Sequence, residues 1–405
     1  MSIELVIDRL GDAVAIAVLE SGALVDLLVA QHGPEAVEDR LFLARVAGIE
    51  PTIDGAFLDH GGKQPGFITG KDARHRRGLA KRVSIKHCLE DGEWLVVQGL
   101  RGSEGGKGAR FTTDLRLTGS SLVYRPHGRE VTARGSLRSQ QRETTLARGK
   151  ALIEQTGAEG GLVMGRLAAG LADAELADEF RSLLAAWQKI KLLPTSKERR
   201  PGPLPFGPSP LARQLAQTAE LMPARVVVAD DVLKAEARRF VDAMPDELRP
   251  ELEMLAGGAA AFAATGVDAA LAEAAAREVP LAKGGRLIIE ETAACVAIDV
   301  DGGGRDALGV DLEAAAVIGR LVRLRNLGGT LVVDFIDLQA KQQRQQVEDA
   351  LKRAFKGDPL PVQIYPMSPL GIVQISRAKR GGQPLKAAGQ VCSSCGGSGW
   401  VARSA

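Results

Sequence analysis

Residues 298–305, Ile298-Asp299-Val300-Asp301-Gly302-Gly303-Gly304-Arg305, and their echo at 332–337, Val332-Val333-Asp334-Phe335-Ile336-Asp337, decide how this chain is read. Each is a run of apolar, strand-forming residues that ends in or carries carboxylates. Cys295-Val296-Ala297 leads into the first and Gly329-Thr330-Leu331 into the second. Short β-rich runs of this kind read as strands buried on both faces. A carboxylate at the end of a buried strand is costly unless something cationic neutralises it. Asp299, Asp301 and Asp334 brought to one place would form a hard-oxygen site suited to Mg²⁺ or Mn²⁺. An ion held there would activate water and stabilise charge on a phosphoryl group. The plainer reading is that acids at strand ends form turns, and Asp-Gly-Gly-Gly is itself a turn signal.

What lies between the two runs favours the site. Residues 306–326 read as a linker and then a helix, with Leu312, Ala315, Ile318, Leu321, Val322 and Leu324 at mostly helical spacing. Strand, helix, strand is a βαβ crossover, which sets neighbouring strands parallel with their carboxyl ends on one edge. Asp299 and Asp334 then occupy equivalent ends of adjacent strands.

The segment IDVDGGGRDALGVDLEAAAVIGRLVRLRNLGGTLVVDFIDL resembles the catalytic segment of the ribonuclease E/G family of bacterial endoribonucleases. The resemblance implies that Asp299 and Asp334 hold the catalytic Mg²⁺ (or Mn²⁺). The family's Asn in its first motif is Asp301 here, which adds negative charge and assigns Asp301 a supporting part.

The chain has 405 residues, enough for roughly two to four domains. Its 45% hydrophobic and 25% charged residues supply ample core, and the net charge of +2 announces no nucleic-acid binding, so RNA affinity must come from local patches. No apolar run reaches membrane-spanning length and the start carries no signal-peptide pattern. Four cysteines, two of them in one CxxC, argue against a disulfide framework. A cytoplasmic enzyme is the expectation.

In chain order, 4–8, 13–19 and 24–29 read as strands. Short strands at 41–46, 56–59, 66–68, 83–85 and 94–97 fit a small OB-type barrel, a frequent binder of single strands. Phe in strands is more often core than surface. However, GIEPTIDGAFLDHGGKQPGF (residues 48–67) resembles the family's inserted OB-fold domain, which implies that Phe57 and Phe67 stack RNA bases. The glycine-rich loop at 102–110 can offer backbone N–H groups and a cation to phosphate. It lacks the spacing of a Walker loop, and the resemblance puts Lys107 at an RNA-contacting position.

Residues 111–192 read as strands at 115–117 and 121–124, a basic hairpin-like stretch at 125–138, and helices at 140–155 and 173–192. They resemble the family's sensor for an RNA 5′-monophosphate, with Gly119 and Val123 matching. The family's Arg-Thr pair falls on Gly165-Arg166, and a shifted guanidinium is not equivalent. Whether Arg166 restores 5′-end sensing stays open. The basic, proline-rich run at 189–210 reads as a solvated linker. A strand at 226–229, a helix at 231–242 and an Ala-rich helix at 258–278 follow, and the acidic strands are succeeded by a charged helix at 340–355 and strands at 363–365 and 372–375. The family's Ser-Arg pair reads Ser368-Pro369, which removes one phosphate contact.

The CxxC at Cys392 and Cys395, followed by glycines, supplies half of a tetrahedral Zn²⁺ site. The resemblance implies that two chains share one zinc and form a homodimer, and that this is a short form ending just after that link. A redox CxxC is the alternative.

The resemblance therefore implies an α/β multidomain protein. An RNase H-like subdomain (1–37 and 193–278) would be interrupted by an OB-fold barrel (38–110) and a 5′-sensor-like region (111–192). A DNase I-like catalytic domain (279–388) and a zinc-link (389–405) would follow. The implied function is a metal-dependent endoribonuclease acting on single-stranded RNA, leaving 5′-phosphate and 3′-hydroxyl ends, in rRNA or tRNA processing or mRNA decay. A catalytically weak RNA-binding paralogue and a phosphodiesterase acting on small nucleotides are the competing readings.

Overall fold

A computed structural model describes residues 2–30, 37–79, 83–103, 108–134, 137–206, 209–244, 246–255, 260–302, 304, 306–378 and 392–394. The chain divides into two compact units: Ile3–Val29 with Leu255–Ala405, and Ala30–Met254. No helix among the described residues is long and apolar enough to cross a membrane.

The first unit begins with β1 (Ile3–Leu10), β2 (Ala13–Glu20) and β3 (Ala23–Ala30), an antiparallel run closed by tight Gly-containing turns. Leu5, Val6, Ile7 and residues Val14 to Leu19 are all buried, so this ribbon is core on both faces.

In the second unit, β4 (Leu41–Glu50), β5 (Gly55–Asp59), β6 (Gly66–Thr69), β7 (Trp94–Arg101) and β8 (Arg110–Thr112) follow one another in the sheet as β4-β5-β6-β8-β7. Pairing of β4 with β7 closes them into a five-stranded, OB-like barrel. Phe42, Val46, Leu58, Ile68, Leu95, Val97 and Phe111 fill it. Two short helices, α1 (Gly70–Ala73) and α2 (Ile85–Cys88), lie between β6 and β7. The expected strand at 83–85 is therefore the start of α2, and the fifth strand is β8. The Asp54 carboxylate accepts the Ile85 N–H at 2.8 Å and favours a helical turn where the residue types suggest a strand.

Next come β9 (Leu117–Thr118), β10 (Leu122–Arg125), β11 (Val131–Ala133) and β12 (Gly161–Met164), with α3 (Ser139–Thr156) and α4 (Asp173–Ile190) packed on them. The stretch at 125–138 is not a hairpin. β11 pairs parallel with β12, and β12 also pairs antiparallel with β10 and so separates the two. Tyr124 and Phe180 meet edge to face at 5.5 Å, and the Tyr124 hydroxyl donates to the Glu159 carbonyl at 2.6 Å. The basic run at 189–210 keeps residues 195–200 exposed, as a solvated linker would, but is docked at its Gly-Pro end. Its β13 (Gly202–Pro203) pairs with β4, and the Arg199 guanidinium sits 5.2 Å over the Trp94 ring. The unit continues through α5 (Pro210–Thr218) to β14 (Arg225–Val228), α6 (Asp231–Asp242) and β15 (Glu251–Met254), a parallel pair joined by a crossover helix.

The first unit resumes with α7 (Ala261–Ala264) and α8 (Val267–Ala275), two helices where one Ala-rich helix is expected. Gly266 at φ 73 interrupts them, a left-handed conformation that only glycine takes freely. A six-stranded mixed sheet follows: β16 (Glu278–Pro280), β17 (Arg286–Glu291), β18 (Val296–Asp301), β19 (Gly329–Asp334), β20 (Val362–Ile364) and β21 (Ile372–Arg377), in the order β16-β17-β18-β19-β21-β20. Among the described residues, only β18 and β19 of this sheet run parallel, joined by α9 (Ala307–Leu324); the other pairings are antiparallel. Helix α10 (Lys341–Phe355) packs on α9, where Gly319 admits Ala354 so closely that a Cβ would sit 2.7 Å from the alanine methyl.

Candidate functional site

The expectation that β18 and β19 are buried on both faces is corrected by their alternation. Val296, Ile298, Val300, Leu331 and Val333 are buried, while Asp299 and Asp334 are exposed. Side chains alternate along a strand, so Asp299 and Asp301 share the opposite face. Asp334 joins them because Asp299 and Asp334 are register partners in the parallel pair. On the other side, Arg286 of β17 is register partner of Asp301 and forms an ion pair with it at 3.1 Å.

The result is a strand-end patch with more negative than positive charge. Partial loss of hydration at the sheet surface holds the Asp299 carboxyl above the usual carboxylate range; the charges of Asp334 and Asp301 add to this, and Arg286 pulls the other way. Among the described residues, no three His, Cys, Asp or Glu side chains come close enough to hold a metal by themselves. Two adjacent carboxylates fit Mg²⁺ nonetheless, because Mg²⁺ keeps several waters and binds through one or two carboxylates plus substrate phosphate.

The turn after Asp334 is tied down twice. The Ile336 side chain lies over Gly302, where a Cβ would come within 2.5 Å of its Cδ1. The Ile336 N–H donates to Asp311 Oδ1 at 3.2 Å. Asp311 is fully buried in α9, and its Oδ2 has no hydrogen-bond partner. Burial pushes its carboxyl up to about 7, and the Ile336 N–H offsets this in part. Sequence reasoning passed over Asp311. The signal was there: Asp311, Ala315, Ile318 and Val322 fall on one helical stripe, and an acid in an apolar stripe is anomalous.

On the barrel, Phe57 and Phe67 are cross-strand partners with ring centroids 5.6 Å apart. Phe57 is 42% exposed and Phe67 half-buried, so neither is barrel core. The Phe67 ring lies against the Cα of Gly55, a place that any Cβ would occupy. Arg110, register neighbour of Phe67, adds a cation beside the ring pair; its guanidinium is 3.0 Å from Asp72. Lys107 lies outside the described residues.

Gly119, Val123 and Arg166 come from neighbouring elements, since Gly165 N–H donates to the Ser121 carbonyl at 2.7 Å and Val123 pairs with Val163. Yet the backbone donors there, the N–H groups of Gly119, Ser121, Leu122 and Arg166, are already taken. Glu179 accepts from the Ser121 and Leu122 amides and the Ser121 hydroxyl, and its carboxylate fills the space beside Gly119. Glu220 accepts the Arg166 N–H with both oxygens, at 2.9 and 3.0 Å, and lies 3.4 Å from Arg134 Nε. Val123 is buried. At the far end, Cys392 is exposed and Cys395 lies outside the described residues.

Comparison with known proteins supplies a frame for these geometries. A model of the ribonuclease E/G family matches residues 116–380. Ribonuclease G of Escherichia coli is 28% identical over 421 residues, covering 99% of this chain and 85% of its own length. Ribonuclease G of Haemophilus influenzae is 27% identical over 417 residues, covering 99% and 84%. Ribonuclease E of Escherichia coli is 28% identical over 404 residues, covering 95% of this chain but 38% of its own length.

Proposed function

The chain belongs to the ribonuclease E/G family, and from that premise we propose that it is an endoribonuclease that cuts single-stranded RNA in RNA processing or decay. The observation that carries this reading is the in-register pair Asp299 and Asp334 at the ends of parallel strands. In this reading the two carboxylates hold Mg²⁺ or Mn²⁺, and Asp301, paired with Arg286, supports them. An ion held there would supply an activated water and neutralise charge on the phosphoryl group. Attack at phosphorus with departure of the 3′-oxygen gives a 5′-phosphate and a 3′-hydroxyl.

The barrel does the holding. Phe57 and Phe67 offer faces on which any base stacks, Arg110 on the neighbouring strand offers a cation for phosphate, and Lys107 belongs to the same glycine-rich stretch of sequence as Arg110. We assign the mixed sheet of the first unit to a DNase I-like catalytic fold, and residues 1–37 with 193–278 to an RNase H-like subdomain. Cys392 and Cys395 would share one Zn²⁺ with the same pair of a second copy, since two thiolates are half of a tetrahedral set. A chelator that converts a homodimer to monomers in sedimentation would support that link.

The deciding experiment is cleavage of an end-labelled single-stranded RNA with Mg²⁺, comparing wild type, Asp334→Asn and wild type with EDTA. Cutting that needs the metal and vanishes in the variant supports the enzyme and its site together. Tight RNA binding without cutting in either protein would leave a binding paralogue instead.

A further inference from the structure

We infer that Asp311 is a positioning residue for the Asp299–Asp334 pair, acting through the backbone of Ile336. The inference rests on the nuclease reading above, which supplies the pair with its role. Its own basis is geometric. Ile336 stands two residues beyond Asp334, and it is gripped from two sides: its side chain over Gly302, the residue after Asp301, and its N–H on Asp311. One residue therefore links the end of β18, the end of β19 and helix α9.

A fully buried acid is an expensive way to accept one N–H bond. Asp311 leaves Oδ2 without a partner, so the side chain is not there to satisfy a network. What it contributes is a single acceptor, Oδ1, at a fixed place on a helix whose neighbours Val310, Ala314, Ala315 and Ile318 are all buried. The helix is thus a rigid mount for the turn that carries Asp334 toward Asp299. Outer residues that orient metal-holding carboxylates are worth roughly 10–100-fold in metal affinity or activity.

The test compares Asp311→Asn, which keeps an acceptor oxygen in the same shape, with Asp311→Leu and Asp311→Ser, which do not reach Ile336 with one. Each is measured by Mn²⁺ binding through electron paramagnetic resonance, by kcat and KM on a single-stranded RNA, and by thermal unfolding. The expected result is Asn within about twofold of wild type, while Leu and Ser lose roughly 10–100-fold in Mn²⁺ affinity and kcat with KM for RNA unchanged. Should Leu fail to fold, Ser decides by the same readouts. Folded Leu or Ser variants that bind Mn²⁺ as wild type does, or that change KM alone, overturn the inference, and so does a wild type that binds no Mn²⁺. A wild type that binds Mn²⁺ yet cuts no RNA overturns the nuclease reading, and the Mn²⁺ affinities of the variants then decide this inference alone.

Discussion

Asp299 and Asp334 are register partners on the parallel strands β18 and β19, and the charge of Asp334 helps to hold the Asp299 carboxyl above its usual range. A group whose native pKa is raised costs the native state stability as pH rises through it. Asp334→Asn removes one source of that cost. In metal-free buffer near neutral pH the variant is expected to be more stable by roughly 0.2–1 kcal/mol, the worth of relieving like charges set opposite each other on paired strands, and the gain should shrink in acid as the Asp299 carboxyl takes up its proton. Mg²⁺ should raise the melting temperature of wild type and leave the variant unmoved. Differential scanning fluorimetry with EDTA and with Mg²⁺ reads both effects.

The aromatic pair separates binding from folding. Phe57 is exposed, so Phe57→Ala should lower affinity for a short oligouridine by about 1–3 kcal/mol, the worth of one stacked base, with little change in melting temperature. Phe67 lies over Gly55, so Phe67→Ala should cost both affinity and stability. Fluorescence anisotropy alongside thermal melts checks this. Equal loss of stability in the two variants would mean that both rings are structural.

Arg377 and Asp358 form an ion pair with both side chains 1% exposed, and Arg377 also donates to the Leu327 carbonyl at 2.8 Å. The pair fastens the end of β21 to the turn before β20 and to the turn that leads into β19. Removing one member leaves a buried charge alone, which costs about 3–5 kcal/mol. Asp358→Ala should therefore destabilise by that amount, while a paired swap of both residues to apolar side chains should recover most of it. Urea unfolding of the single and double variants measures the difference.

The acidic edge was readable because its signals are local and periodic. An apolar run, a helical rhythm at Leu312, Ala315 and Ile318, and a second apolar run point to a crossover, which places the ends of both strands on one edge; the structure adds the register that sets Asp299 opposite Asp334. What was not readable depends on distant partners. Val83-Ser84-Ile85 has strand chemistry, and only the Asp54 carboxylate, 31 residues away, marks it as a helix start. The linker's Arg199 and Arg200 are exposed, as a solvated run requires, but nothing local announces that Gly202 and Pro203 pair with β4. Likewise, Glu179 and Glu220 carry no motif, yet they occupy the donors around Gly119 and Arg166.

Those two glutamates bear on how the RNA end is treated. A phosphate bound by the Gly119–Leu122 turn and the Arg166 amide would need the N–H groups that Glu179 and Glu220 already hold, and a second anion there meets like charge. The enzyme is therefore expected to cut RNAs with 5′-monophosphate and 5′-hydroxyl ends at rates within about twofold of each other, an electrostatic cost leaving no advantage to the phosphate. Matched substrates that differ only at the 5′ end provide the measurement. A strong preference for the monophosphate would show that the glutamates move aside.

Asp311 offers a pH signature of its own. Its carboxyl sits at about 7 instead of 3.8, raised by burial. Between those values the unfolded chain has released a proton that the native protein still holds, so native stability falls as pH rises across the window and levels off above it. The full span corresponds to on the order of 4 kcal/mol. Asp311→Asn has no proton to lose and should lack this slope. Its stability relative to wild type should be smallest near pH 4 and greatest above pH 7, as read from melting temperatures across that range. Parallel pH profiles for the two proteins would mean that Asp311 ionises in the native state as freely as in the unfolded one, and that α9 opens to water at this position.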